Sequence, residues 1–294
     1  MAFSVNTNVG AMAALQSLNA TNRGMATTQS RINTGLNVAS TKDDSAKYVI
    51  AQTLRGDLGK LSAVTSSLTN AKSVTDTAVA GAEQISDILN QMKSKALEAS
   101  DNGLDVESRT AISKDLVALK KQVNTIIDGS DFNGTNLLKG PLATGNKVSA
   151  LQSIASGAAT LDVANQDFTA LSDAALGVAA TDTTITDLNK TTVTAGVNDG
   201  AAAAKALAGT LDVMFTAVKT SLSALGSASR QIDGQLSFNS KLTDVVTAGI
   251  GNLVDADLAK ESAKLQALQV QQQLGVQALG IANQAPQTIL SLFR

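Results

Sequence analysis

Apolar residues recur along this chain at alternating spacings of four and three, the repeat that holds one stripe of a helix against a partner helix. The longest run spans Ile50 to Ala99, through Leu54, Asp57, Leu61, Val64, Leu68, Ala71, Thr75, Ala78, Ala82, Ile85, Leu89, Met92 and Ala96. Thirteen of its fifteen positions are apolar, where the chain's 44% hydrophobic content would give about six or seven. This pattern predicts a helix with a coiled-coil seam over seven heptads. A shorter seam near the N-terminus reads Ala11, Leu15, Leu18, Asn22, Met25, Gln29 and Ile32. A third helix, over 104–128, carries Ile112, Leu116, Leu119, Val123 and Ile126; it should stop at Gly129, before the turn-rich run SDFNGTN.

In the last third, Leu207, Leu211, Met214, Val218, Leu225, Ala228, Ile232, Leu242 and Val246 share one register. Gly249 and Gly251 should weaken that helix. A shifted register resumes at Val254, Leu258, Leu265, Leu268, Leu279 and Ala282, and Pro286 is expected to close it. Between the helical ends the pattern changes. Residues 141–204 hold few charges, and Thr fills seven of the fifteen positions 181–195, which favours short strands and turns. The fold class expected is mainly α: a long coiled-coil-like helical bundle formed by the N- and C-terminal regions, with a small, mostly β central insertion. Boundaries follow at 1–44, 45–140, 141–204, 205–250 and 251–294, the outer two being terminal helices and the second and fourth the halves of a rod.

Composition narrows the chemistry. The 294 residues include no His, no Cys and no Trp, and one Tyr. Helices filled by Leu, Val, Ile and Ala must therefore supply the core. Thiolate nucleophiles, imidazole bases and Cys/His zinc sites are excluded, and no cofactor is expected. The net charge of −2 is well mixed, with the acidic excess in 141–204. No basic patch with aromatic platforms points to nucleic acid. No apolar run approaches the ~20 residues of a membrane span, so no membrane insertion is expected. The N-terminal stretch has no basic residue before Arg23, unlike a secretory signal peptide. A route other than signal-peptide secretion is expected if the protein leaves the cell.

Two acidic pairs, Asp43–Asp44 and Asp255/Asp257, lack the ligand density and glycine turn of a calcium loop, and helix-capping is the expected role. Asn22 and Gln29 read either as tolerated polar positions near an exposed end or as buried amides that select one register. The second reading is slightly favoured.

Residues 30–58, SRINTGLNVASTKDDSAKYVIAQTLRGDL, resemble the N-terminal signature of bacterial flagellins. Three further stretches resemble the same family in the same order: SVNTNVGAMAALQSLN at 4–19, SDFNGTNLL at 130–138, and the segment from Leu253 to Arg294. The resemblance covers about residues 1–140 and 205–294. It implies a non-enzymatic structural subunit that self-assembles into the flagellar filament, exported unfolded by the flagellar type III apparatus and residing outside the cell. The implied partners are other copies of the subunit, the hook-associated and cap proteins, and an export chaperone at the C-terminal helix. The implied assembly residues are Leu15, Leu18, Asn22, Met25, Gln29, Arg31, Ile32, Asp43, Asp44, Leu258, Leu265, Leu268, Leu279 and Phe293. Flagellins recognised by a Toll-like receptor carry an Arg-Glu-Leu pattern on the second long helix, and the stretch Met92 to Glu98 departs from it.

A hook-filament junction protein shares this terminal plan, but such proteins tend to have Pro after Asp-Asp, where this chain has Ser45. Residues 141–204 lack heptads and are acidic, so they are expected to form a solvated outer surface dispensable for assembly. The weak terminal seams are expected to fold only when subunits join.

Overall fold

A computed structural model describes residues 7–140, 147–154, 159–176, 185, 188, 193–194 and 197–292. The described elements, in order, are α1 (Val9–Thr34), α2 (Ser45–Ala99), α3 (Val106–Gly129), β1 (Lys147–Leu151), β2 (Thr160–Ala164), α4 (Phe168–Leu176), β3 (Val193–Thr194), β4 (Val197–Asn198), α5 (Asp199–Val254) and α6 (Leu258–Leu292). The mainly α class with a small strand-containing middle holds.

The chain forms two compact units. One comprises Gly59–Leu242, the other Met1–Leu58 with Thr243–Arg294. The first is the helical rod. Every seam position of α2 from Leu61 to Ala99 is buried, including Thr75, whose hydroxyl donates to the Ala71 carbonyl at 2.8 Å and so satisfies itself within the helix. From α5 come Leu207, Leu211, Met214, Val218, Leu225 and Ile232, and from α3 Ile112, Leu116, Val123 and Ile127. Three polar residues, Ser221, Gln235 and Asn239, interrupt the α5 seam. Asn239 is buried, and its Nδ2 donates to the Leu61 carbonyl at 3.0 Å and to the Thr65 hydroxyl.

The SDFNGTNLL stretch returns the chain from α3 to the α2 face. Asn133 and Gly134 both take positive φ (53° and 78°), closing a two-residue turn bridged by Phe132 and Thr135. Asn136 then clamps the exit. Its Nδ2 donates to the Ile127 carbonyl at 2.6 Å and its Oδ1 accepts from Leu138 and Lys139 N–H, which sets Leu137 and Leu138 in the core. The close approach explains Gly81. A Cβ there would lie 2.9 Å from Leu138 Cδ1 and would collide with the Ser130 hydroxyl. Buried Arg109 holds the turn between α2 and α3, its Nη2 donating to the carbonyls of Asp101 at 3.1 Å and Leu104 at 2.5 Å.

The middle segment departs from expectation. Strands β1 and β2 pair antiparallel, Lys147 opposite Ala164 and Leu151 opposite Thr160, and β3–β4 form a second small hairpin. These strands do not stand outside the rod. Ala150, Leu161, Val163, Phe168, Leu176, Ile185 and Leu188 are buried in the same core as the helices. Polar contacts reinforce the docking: Ser113 Oγ donates to the Ile185 carbonyl at 3.1 Å and Gln235 Nε2 to the Gln152 carbonyl at 2.7 Å. Among the described residues from 147 to 188, one face is therefore core while Lys147, Ser149, Leu151, Thr160 and Asp162 remain exposed.

Helix α5 starts at Asp199, inside the expected insertion, and runs through Gly249 and Gly251 without a break. It also contains an 18-residue stretch with mean hydropathy 1.3, long and apolar enough by composition to cross a membrane, where the sequence reading found none; 39% of that stretch is buried inside the protein. Alanines raise the hydropathy of this helix, and its Leu207, Leu211, Met214 and Val218 are rod core.

The second unit has its own small core. Val38, Ala51, Ile250 and Val254 are buried, with Leu36, Tyr48, Leu54, Leu58, Val246 and Leu253 packed around them. Here Ala51 takes the buried place expected for Ile50, which is half exposed. The linker after α1 supplies part of the partner surface and shifts the contact face by one residue. That packing draws residues up to Leu58 and from Thr243 into this unit, so its limits differ from the expected boundaries at 44 and 251.

Candidate assembly interface at the chain ends

Helix α1 begins at Asn8, whose side-chain Oδ1 accepts from Ala11 N at 3.0 Å, and ends at Gly35, whose N–H returns to the Arg31 carbonyl at 2.9 Å. Helix α6 begins after Asp257, whose Oδ1 accepts from Ala259 and Lys260 N–H at 3.0 and 3.1 Å. It continues to Leu292, so Pro286 does not close it. A proline inside a helix removes one hydrogen bond without necessarily ending it.

The two helices pair antiparallel. Contacts between Asn8 and Ala282, Leu18 and Gly275, Asn22 and Gln272, Gly24 and Leu268, and Arg31 and Glu261 step along both in opposite directions. Gly275 lies at a close approach, since a Cβ there would sit 3.3 Å from Leu18 Cδ1. On α6 the inward positions are Glu261, Leu265, Leu268, Gln272, Gly275, Leu279 and Ala282, an unbroken four–three alternation. Leu265, Leu268 and Leu279 thus face α1 as expected, whereas Leu258 is half exposed and Glu261 takes the inward role.

On α1 the inward face is Ala11, Ala14, Leu18, Thr21, Met25, Thr28 and Ile32. Leu18, Met25 and Ile32 keep their expected orientation. Leu15, Asn22 and Gln29 do not; all three are exposed, so Asn22 and Gln29 are not buried amides within this helix pair. Both faces share the heptad positions 11, 18, 25 and 32. The small residues Ala14, Thr21 and Thr28 lie on the flank that lets the backbones approach, so they meet α6 and the larger side chains turn outward. Asn22 Oδ1 still accepts from Gln272 Nε2 at 2.8 Å on the exposed edge. Phe293 lies outside the described residues.

Arg31 Nη1 meets Glu261 Oε1 at 3.2 Å, with Glu261 almost wholly buried. The pair is incompletely satisfied: Arg31 Nε, Glu261 Oε2 and the buried Thr28 hydroxyl have no hydrogen-bond partner. Asp43 organises the linker. Its Oδ2 accepts from Ala39 N, Ser40 N and Ser40 Oγ at 2.9–3.1 Å, and these bonds, the Ser40 backbone N–H foremost, hold its carboxyl below the usual range. Asp44 Oδ1 accepts from Lys47 N at 3.0 Å and caps α2. Asp255 joins a backbone bridge to Leu36, and the linker is fastened further by Asn37 N to Val254 O at 2.7 Å and Ala256 N to Gly35 O at 2.9 Å.

The pair leaves several apolar side chains uncovered. Val9 is 73% exposed, Met12 and Leu15 lie beside it, and Ile281 on α6 is 70% exposed. Thr7, Val9, Met12, Leu15, Asn19 and Arg23 line an open groove of 1040 Å³ along α1. Of α1's described residues, Thr28 alone is buried.

Paired terminal helices with exposed apolar side chains are the features of a protein that associates through its ends. Comparison with known proteins identifies which. The bacterial flagellin N-terminal helical region matches residues 5–143 and the flagellin C-terminal helical region residues 209–293. The chain belongs to the bacterial flagellin family, and it is a subunit of the flagellar filament on the cell exterior. It is 42% identical to flagellin FljM of Caulobacter vibrioides over 99% of this chain and 98% of that one. It is 37% identical to a Brucella melitensis flagellin over 99% of each. A solved structure from Vibrio parahaemolyticus, assigned as a flagellar hook-associated protein, shares the fold at a TM-score of 0.59 and 15% identity, covering 72% of this chain and all of that one.

Proposed function

We propose that the terminal helix pair is the polymerising element, and that it completes its folding only against neighbouring subunits. One observation carries this: α1 lies along α6 with no aliphatic side chain buried among their described residues, while Val9, Met12 and Leu15 stay open to solvent. Burial drives helix association in water, so such a pair needs further apolar surface, and other copies of the chain supply it. Leu18, Met25, Arg31, Ile32, Leu265, Leu268 and Leu279 act within the pair. Leu15, Asn22, Gln29 and Leu258 face neighbouring copies, and Asp43 and Asp44 shape the linker that positions α1.

On this reading residues 1–44 and 251–294 form the filament core, 45–140 and 205–250 the rod, and 141–204 the variable middle domain. The chain acts without catalysis. It leaves the cell unfolded through the flagellar type III apparatus, its C-terminal helix held by an export chaperone, and it meets the hook-associated and cap proteins at the filament ends.

Limited trypsin digestion of the monomer tests the coupling. Cleavage should fall after Arg23, Arg31, Lys260 and Lys264 and leave a core near residues 45–250 that no longer assembles, while circular dichroism should show helix content rising on polymerisation. Uncut ends beside cuts elsewhere, or constant helix content, would refute the mechanism.

A further inference from the structure

We infer that Asn8 and Pro286 form a matched lock that sets the register of the terminal helix pair. Proline has no N–H, so Pro286 leaves the carbonyl four residues earlier, that of Ala282, without its helical donor. That carbonyl is the one that Asn8 reaches. Asn8 Nδ2 donates to Ala282 O at 2.7 Å, across 274 residues of sequence. The same amide's Oδ1 accepts from Ala11 N at 3.0 Å and starts α1. An amide is suited to both tasks because it carries an acceptor and a donor on one short arm. Serine could cap the helix but not bridge to α6, and an ionised aspartate has no proton to donate.

The seam between the helices supplies little register of its own. Both faces repeat with the heptad, and the small and aliphatic positions of a helix sliding by one turn mostly meet others of the same kind. Polar groups that match in only one alignment remove that ambiguity. Arg31–Glu261 does so at one end, and Asn8–Ala282 at the other. Pro286 makes the second match specific, since a helix carbonyl already bonded to its own N–H gains less from a second donor. A helix-breaking residue kept within α6 thereby becomes the acceptor site for the start of α1.

The inference rests on the reading that α1 and α6 of one subunit pair in the filament, and the experiment separates the two. The chain contains no cysteine, so introduced pairs report cleanly. A Cβ on Gly10 would lie 4.0 Å from Ala282 Cβ, within disulfide range. Filaments of Gly10→Cys with Ala282→Cys should form an intrachain disulfide on oxidation, whereas Gly10→Cys with Ala278→Cys, which reports a one-turn slip, should not. Absence of the first crosslink, or its appearance between chains, overturns the pairing itself.

The lock is tested by adding Asn8→Ser, which keeps a capping hydroxyl. The ratio of native to slipped crosslink should fall about fivefold, the equivalent of one hydrogen bond. Filament disassembly temperature should fall with it and should recover when Pro286→Ala returns an N–H to Ala282. Should Asn8→Ser chains fail to assemble, recovery of assembly by Pro286→Ala supports the lock. An unchanged crosslink ratio, or an Asn8→Ser loss that Pro286→Ala leaves uncorrected, overturns it.

Discussion

Replacing Phe168 with alanine should destabilise the rod by about 3–5 kcal/mol, the range for emptying a ring-sized site in a packed core. The ring is fully buried at the start of α4, where the backbone is pinned by Phe168 N donating to Leu138 O at 2.7 Å and Gln166 N to Leu137 O at 2.8 Å. Both of those leucines are themselves fully buried, so little mobile structure is available to collapse into the space. At ~2–4 °C per kcal/mol for a unit of this size, thermal unfolding followed by circular dichroism should shift down by roughly 10 °C. Leu151→Ala is the control, because Leu151 on β1 is 48% exposed and its truncation should cost less than ~1 kcal/mol. A linker replacing 141–204 should be more damaging than Phe168→Ala, since it also removes Leu161, Val163, Leu176, Ile185 and Leu188 from the core. A Phe168→Ala protein melting within a degree or two of wild type would refute the docking and restore the view of this segment as a dispensable outer surface.

The Arg31–Glu261 pair should matter to the filament. Glu261→Gln leaves Arg31 beside a neutral group in a largely buried setting and should lower disassembly temperature, at a cost of about 1–3 kcal/mol. Exchanging both charges, Arg31→Glu with Glu261→Arg, should recover part of the loss, and equal disassembly temperatures for all three proteins would show the pair to be incidental. Asp162 should confer acid sensitivity on the β1–β2 hairpin. The Lys147 ammonium at 2.6 Å, helped by the Ser149 and Thr160 hydroxyls, lowers its carboxyl pKa from 3.8 to about 2. The folded hairpin thus binds this proton less readily than the unfolded chain, so the stabilisation is complete above about pH 4 and is lost as pH falls towards 2. An NMR titration of the Asp162 carboxyl should show the low midpoint, Asp162→Asn should flatten this part of the stability profile, and a wild-type midpoint near 3.8 would contradict the contact.

Much of the protein was decided by sequence alone, and for a physical reason. A heptad seam is a local property: spacing puts Leu61 through Ala99 on one stripe of α2 whatever lies opposite, and each of those positions is buried. The Asn133–Gly134 turn and the caps at Asn8, Asp44 and Asp257 are equally local, because the groups that satisfy one another lie within four residues. The flagellin signatures were legible for the same reason, being contiguous motifs. Where two solutions are equivalent along one helix, only the partner chooses. Heptad spacing allowed α1 to turn either Leu15, Asn22 and Gln29 or Ala14, Thr21 and Thr28 inward, and close approach to α6, with Leu18 over Gly275, selects the small set. Leu258 and Ile50 were misplaced likewise, as Glu261 and Ala51 are the residues that meet a neighbour at those levels. The middle segment is the fullest case. Its few charges and many threonines are compatible with an outer surface or with docking, and tertiary structure alone supplies the surface that buries Phe168 and Leu176. Pro286 shows the same limit at the scale of one bond: sequence reveals the missing N–H, but the donor that reaches the Ala282 carbonyl lies 274 residues from it, on Asn8.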